Sequence, residues 1–447
     1  MATSFSLRAQ RYFVQEFPAN RLGILRALFG AMMVVSCVRF IALGWIDEQY
    51  IKPVLHFPYL GFEWVTTLGS PGMEILFGVM LASAIGVMLG AWYRVSALLL
   101  FLTFTYIELI DKTYYLNHYY FVSITAFLFC LLPAHSSFSI DAKRNESLKK
   151  EFVPRWMLDV FRLQIAIVYI HAGLAKINYA WLIDAMPLRL WMPAQDTLPL
   201  VGWLMIIPWM PWVFSWMGML FDVSVPFFLN NRRTRPFAYL AVLGFHITTG
   251  LMFQIGVFPL VMIALTTVFF LTDKKYIHIP EEHEHGVALL STPTRWFRPY
   301  RFTLSILAVH FALQVLIPWR YLLYPGDLFW TEEGYRFGWR VMLMEKAGTA
   351  QFTVEDSRTH RKGIVANCDF LNEHQEKQMA MQPDMIVQYA HFLHDHYEKQ
   401  GVADPIVRAE AWVTLNGKRS KLIVDPHRDL SQVQLDLGAA DWILRYD

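Results

Sequence analysis

The sequence predicts an α-helical polytopic membrane protein with a small C-terminal α+β extracytoplasmic domain. Three observations carry that reading. Of the 447 residues, 55% are hydrophobic and only 17% charged, against roughly a quarter charged in ordinary soluble domains. The charge is unevenly spread: apolar runs continue to about residue 318, and an ordinary polar sequence follows. A helical span needs about 20 apolar residues, and the first part has room for about nine. A simple soluble enzyme is excluded. The net charge of +2 gives no reason to expect nucleic acid as a partner.

Apolar runs bounded by charge place spans near 22–44, 71–90, 94–110, 118–133, 156–178, 211–229, 236–255, 257–272 and 301–318. The stretch 198–210 is also apolar, but Pro208 and the following Pro211 mark it as re-entrant or interfacial. Arg8, Arg11 and Arg21 precede a run too long for a cleavable signal. Two domains are expected, a transmembrane one over 1–318 and a soluble one over 319–447. In the second, runs at 338–344, 350–355 and 362–366 read as strands. A helical stretch carrying Met385, Val387, Ala390 and Leu393 follows, then a hairpin, Arg408–Leu415 and Lys421–Val424, turning near Asn416-Gly417. Cys37 and Cys130 sit in apolar runs and Cys368 has no neighbour, so no disulfide framework is expected.

Lys and Arg in the short loops set the expected orientation. Arg94, the group Lys143, Arg144, Lys149, Lys150 and Arg155, the trio Arg232, Arg233 and Arg235, and the group Lys274, Lys275, Arg295 and Arg298 fall in every second loop. The alternate loops carry Asp47, Glu48, Glu63, Asp111, Asp184 and Asp196 with few cations. The N-terminus is therefore expected in the cytoplasm and, after nine spans, the tail outside it.

Ionisable groups inside a span cost about 2.5–3.5 kcal/mol on insertion scales and are functional candidates by default. The fifth span is the richest. Arg162, Tyr169 and Lys176 recur every seven residues along one stripe, and Gln164, His171 and Asn178 form another about 200° further round. A helix polar on two opposed faces belongs in the middle of a bundle. Lys176 lies near its outer end, where spacing leaves two readings open: a functional amine, or a side chain snorkelling to the interface. The turn Asp111–Tyr119, with Asn117 and His118, is expected at the same depth. Span seven brings His246, Thr249 and Phe253 on one face, with Gln254 near its outer end.

His118, His171 and His246 share no i, i+3 or i, i+4 spacing, so no metal site is expected. Glu281-Glu282-His283-Glu284-His285 reads as a solvated charge run in a cytosolic loop. There is no P-loop, dinucleotide turn or serine nucleophile elbow. What emerges is an apolar chamber with an amine base and histidines, open to lipid and to the outer face, suited to a lipid-soluble cofactor.

Several stretches resemble a known family. Tyr169-Ile-His-Ala-Gly-Leu-Ala-Lys176-Ile-Asn-Tyr-Ala-Trp181 is similar to the lysine-bearing motif of vitamin K-dependent γ-glutamyl carboxylase, a family of HTTM-domain membrane proteins. Asp111-Lys-Thr-Tyr-Tyr-Leu-Asn-His118-Tyr resembles its Asp-Lys-Thr…Asn-His turn, and Phe245-His246 followed by Phe253-Gln-Ile-Gly256 a third stretch. Weaker likenesses lie at His56–Trp64, Leu25–Gly30 and Val424–Leu430, so the resemblance runs from about residue 20 to 430.

The resemblance implies a carbon–carbon lyase-class enzyme coupling oxygenation of reduced vitamin K to carboxylation of protein glutamate. A lysine deprotonates vitamin K hydroquinone, O2 adds, and the resulting strong base takes the γ-proton. CO2 captures the carbanion and the quinone leaves as its epoxide. Carried over by motif, Lys176 is the base. A free lysine titrates near about 10.4, and desolvation in an apolar chamber is expected to leave neutral amine available. His118 matches the histidine on the glutamate side. Asn117, Tyr169 and His246 are cofactor-pocket residues. Arg189, in Pro187–Trp191, reads equally as a substrate-carboxylate clamp and as an ion pair with Asp184.

Animal members have two consecutive lysines where this chain has Ala175-Lys176, differ at His171, and continue beyond Asp447 into a region serving propeptide recognition. The brevity and lack of a disulfide framework point to a bacterial member, an inner-membrane protein with its tail in the periplasm. Its expected partners are a glutamate-containing exported protein or peptide, and membrane lipid and quinone. Two other functions fit the same residues: a vitamin K hydroquinone epoxidase that carboxylates nothing, and a non-enzymatic lipid- or quinone-binding protein in which Lys176 is only structural.

Overall fold

The computed structural model describes residues 12–199, 201–253, 255–279 and 298–446. Gln254 and the cluster 281–285 lie outside them. The membrane part opens with a short strand, β1 (Glu16–Pro18), and contains helices α1 (Ala19–Ala42), α2 (Gly69–Leu89), α3 (Tyr93–Ile110), α4 (Asn117–Leu131), α5 (Trp156–Ala175), α6 (Met210–Asn230), α7 (Arg235–Met252), α8 (Phe258–Thr266) and α9 (Arg301–Leu316). A second short strand, β2 (Phe152–Pro154), precedes α5 and pairs antiparallel with β1.

Each of the nine expected spans is occupied by helix, but only six helices are long and apolar enough to cross a membrane among the described residues: α1, α2, α3, α5, α6, and α9 with its 3-10 extension to Leu323. The other three fall short for separate reasons. α4 has 15 residues, about 22 Å of rise against a hydrocarbon core of about 30 Å. α7 has 18 residues but starts on a charged Arg235. α8 has 9 and breaks at Thr267, where Thr267 Oγ1 bonds the carbonyl of Ala264. The segment 198–210 holds only a short helix, Gly202–Met205.

α5 is the innermost span. In its most apolar window 67% of residues are buried, against 17% in α9. Its two polar stripes go to different neighbours. On one, Arg162 pairs with Asp159 and Asn230, Tyr169 meets α7, and Lys176 meets α6. On the other, Gln164 bonds His310 and Gln314 of α9, and His171 packs edge-on to Trp319. Interhelical polar contacts of this kind hold helices together where no hydrophobic force does.

The tail is a four-stranded antiparallel sheet of β3 (Lys346–Glu355), β4 (Lys362–Ile364), β5 (Ile406–Leu415) and β6 (Lys421–Leu422), ordered β4-β3-β5-β6, with helices α10 (Glu373–Met379) and α11 (Pro383–Lys399) packed on it. The hairpin turns at Asn416-Gly417, both at positive φ (52° and 69°), as its Asn-Gly signature requires. The expected strand 338–344 is not one: Phe337, Trp339 and Met342 have positive φ, and Trp339 is buried against Tyr120 and Phe121 of α4. Packing against the membrane helices, not sheet pairing, decides this segment.

The turn between α3 and α4 is built into the tail. Lys112 Nζ bonds Asp384 Oδ2 at 2.6 Å, and Arg336 holds the same carboxylate through two nitrogens at 2.8 and 3.2 Å. Asp111 accepts from Thr113 and from Gln375 Nε2 of α10. Burial works to raise the Asp384 carboxyl, but the Arg336 guanidinium and Lys112 ammonium outweigh it and hold the group well below the usual carboxylate range. For Lys112 burial prevails over the pull of Asp384 and lowers the ammonium.

Candidate functional site

Lys176 is the first residue past α5, and its amine points between helices rather than out to an interface. The side chain is 7% exposed. Nζ bonds Asp222 Oδ2 of α6 at 2.7 Å, contacts the Ala172 carbonyl at 3.3 Å, and lies 5.5 Å from the ring centre of Trp181. The snorkelling alternative is thereby excluded. Asp222, 5% exposed, has the amine as its partner. A buried pair of this kind is neutral as a whole, which is how two ionisable groups persist so deep in an apolar bundle.

Local sequence makes the pairing possible. Gly173 lets α5 approach α6 closely, since a Cβ there would stand 2.7 Å from the Val223 nitrogen and 3.1 Å from Asp222 Cβ. Beyond Lys176 the helix stops because Asn178 caps the next turn: its side chain accepts from Trp181 N–H and donates to the Ala175 carbonyl. Trp181 is then fixed over the amine by its own N–H to the Ser215 carbonyl at 2.9 Å. Asn178, read as part of a polar stripe, is thus a capping residue.

A cavity of about 420 Å³ opens in front of the pair. Lys176, Asp222, Tyr169 and His246 are its ionisable residues, and Trp181, Phe221, Phe245 and Phe253 are among its aromatic walls. The Tyr169 hydroxyl and His246 Nε2 share a hydrogen bond of 2.9 Å; His246 Nδ1, also buried, has no partner among the described residues. Val341 and Met342, from the tail, close one end. Met217, Ala241 and Gly244 line the cavity and are also exposed on the outside of α6 and α7, so it reaches the outer surface of the helical bundle between these helices.

Three of the sequence-predicted residues, Lys176, Tyr169 and His246, therefore meet in one chamber. His118 is next to it: it is buried, its Nε2 unpartnered among the described residues, and it packs on Phe258, a chamber wall that also touches His246. Asn117 does not line the chamber. Its side chain donates to the Arg340 carbonyl at 2.8 Å and accepts from the Tyr115 hydroxyl, tying α4 to the tail. Arg189 is exposed, stacked on Trp212 at 5.1 Å, and contacts the backbone carbonyl of Asp184 rather than its carboxylate. Asp222 escaped the sequence reading. The signal present was that it is the single ionisable residue in its span. Among the described residues no three His, Cys, Asp or Glu side chains gather as metal ligands.

A family model for the HTTM domain matches residues 14–273, more than half of the chain. A second, for the lumenal domain of vitamin K-dependent gamma-carboxylase, matches 299–447. The chain belongs to the vitamin K-dependent γ-carboxylase family. No solved structure matches it. Membership makes the chamber the place to look for family chemistry, because the motif that resembles the family's lysine stretch is the one that delivers Lys176 to it.

Proposed function

We propose that the chain is an integral-membrane carboxylase that uses reduced vitamin K, O2 and CO2 to carboxylate glutamate in a protein or peptide. The observation that carries this reading is the buried Lys176 amine, set against Asp222 in an aromatic-walled chamber that reaches the outer surface of the helical bundle. The chamber's residues fit the cofactor: its volume lies in the usual range for small-molecule sites, about 300–1,000 Å³, its walls suit a lipid-soluble ring, and His246 Nδ1 offers an unused polar atom. Bound there, reduced vitamin K supplies an acidic hydroxyl and, with oxygen, the basicity that a glutamate γ-proton demands and no side chain has.

The chain's own groups do the rest. Lys176 takes the hydroxyl proton as a neutral amine, the form it has when the proton shared across the 2.7 Å bond rests on Asp222, so the buried pair stays neutral until the transfer. Trp181 walls the amine off from water. Tyr169 and His246 orient the ring, and the tail lies over the chamber on the side from which a glutamate arrives. Lys176 and His118 keep the roles assigned by motif, the base and the glutamate side; Asn117 is not retained as a cofactor-pocket residue and instead sets His118 by fixing the start of α4. Arg189 is not retained as a carboxylate clamp, since it stands outside the chamber. The transmembrane part up to 318 and the tail from 319 act as catalytic and extracytoplasmic domains of a multi-pass membrane protein.

The test is purified protein with reduced vitamin K, O2, labelled bicarbonate and a glutamyl peptide. Both epoxide and fixed label are expected, and Lys176→Ala is expected to lose both; undiminished turnover in that variant rules out the base. One observation favours a second reading, an epoxidase without carboxylation: His118 does not itself line the chamber. His118→Ala separates the two, because it is expected to reduce label fixation more than epoxide formation. Equal loss of both removes its assigned role.

A further inference from the structure

The chamber has a neighbour. A second cavity of about 370 Å³ lies against it, and Trp191, Met252, Phe253, Ile255 and Met342 line both. Its remaining walls, Leu190, Ala194 and Gln195, belong to the segment between α5 and α6; Leu190 and Ala194 are exposed. Leu190 also lies beside Gly417 at the tip of the tail's hairpin, where a Cβ would stand 3.4 Å from it. This outer cavity therefore lies beside the tail, whereas the opening between α6 and α7 is lined by other residues.

The partition between the cavities is aromatic and latched. Trp191 and Phe253 stand edge to face, with ring centres 5.5 Å apart. The Trp191 indole N–H donates to Glu345 Oε2 at 2.5 Å. Glu345 is in turn held by the hairpin tip: its N–H donates to the Asn416 side chain at 2.9 Å, and the Asn416 N–H donates to its carbonyl at 2.7 Å. An indole N–H is a donor only, and here a carboxylate already occupies it. A glutamate side chain arriving through the outer cavity meets that same donor on its way to the amine.

We propose that Trp191 is a gate between an outer vestibule and the Lys176 chamber, latched by Glu345, and that an acidic side chain of an incoming peptide opens it by taking the indole N–H from Glu345. Peptide and quinone then use separate doors, the first beside the tail and the second between α6 and α7. The inference deepens the carboxylase reading and rests on it for the identity of the ligand, but the gate itself is testable without turnover.

A reporter cysteine, Val168→Cys in the chamber wall, is exposed to a water-soluble methanethiosulfonate, and its modification is followed by peptide mass spectrometry. Labelling several-fold faster in Trp191→Ala and in Glu345→Ala than in the parent is expected; equal rates in all three overturn the gate, whatever the protein catalyses. Anisotropy with a fluorescent glutamyl peptide tests the ligand. Glu345→Ala, which leaves no acceptor for the indole, is expected to bind it about fivefold tighter, the worth of one competing hydrogen bond. Trp191→Phe, which loses the donor, is expected to bind more weakly, and a glutaminyl peptide to be indifferent to both changes. Affinity for the glutamyl peptide that is unchanged in both variants, or no binding to the parent, overturns the acidic ligand.

Discussion

At Lys176 and Asp222 each side chain makes the other tolerable. Removing one partner of a buried pair leaves the other charged and unpaired, at a cost of about 3–5 kcal/mol, whereas replacing both with apolar residues of similar volume is often neutral or stabilising. Asp222→Leu is therefore expected to lower the detergent-solubilised protein's stability by about that amount, Lys176→Met to do likewise, and the double variant to recover most of the loss while remaining inactive. Denaturation of the four proteins measures this; losses that simply add show that the two groups do not depend on each other. The pair also marks where sequence reasoning stopped. Lys176 was legible because Arg162, Tyr169 and Lys176 recur along one helix and sit in a motif. Asp222 has no such pattern around it, and its partner is 46 residues away, so only the folded bundle joins them. His118 was legible as a candidate, but its separation from the chamber by the Phe258 ring depends on α8, a helix whose packing no local pattern specifies.

α11 begins where the membrane turn ends its reach, with Asp384 in its first turn receiving both Lys112 and Arg336. The helix N-terminus adds its own favourable potential for an anion. Because the Asp384 carboxyl is held below its ordinary value, the native state binds its proton less readily than the unfolded chain does. Its contribution to stability is then complete above the unfolded value, about 3.9, and drains away as pH falls through the folded one. Asp111, which burial raises, works in the opposite sense, so the informative comparison is between wild type and Asp384→Asn, in which Asp111 is common to both. The variant is expected to melt lower near pH 7 and to lose less between about pH 5 and 3. Melting curves that run parallel over that range show that this clasp contributes nothing. Much of the tail was legible element by element: strand-like runs marked most of β3 and β5, Asn-Gly marked the turn from β5 to β6, and the apolar face of α11 read correctly. The segment 338–344 did not, because its apolar residues serve the membrane helices instead of a sheet, and a strand-like pattern does not say which partner buries it.

Across the whole molecule the loops sort to two ends. β1 pairs with β2, and Glu16 bridges to His278, which gathers the segment before α1 and those after α4 and α8 together. Trp92 and Tyr93, opening α3, bond Asp141 at this same end. The other end of α3, about 27 Å away by rise, leads into the Asp111-Lys112 turn that grips the tail. Segments near Leu55 and Pro58, and Trp191, bond the tail as well. The described loops rich in Lys and Arg thus share one end and the tail occupies the other. We propose, from the positive-inside bias, that the basic end is cytoplasmic and the tail outside. Two native cysteines read this out. Cys368 is exposed in the tail, while Cys130 lies at the basic end, its carbonyl bonded by Arg94. In spheroplasts expressing the chain, a membrane-impermeant maleimide is expected to label Cys368 without permeabilisation, Cys368→Ser to lose that signal, and Cys130 to react, if at all, only after lysis. Labelling of Cys368 that waits for lysis inverts the orientation, and with it the side from which a glutamyl peptide reaches Trp191.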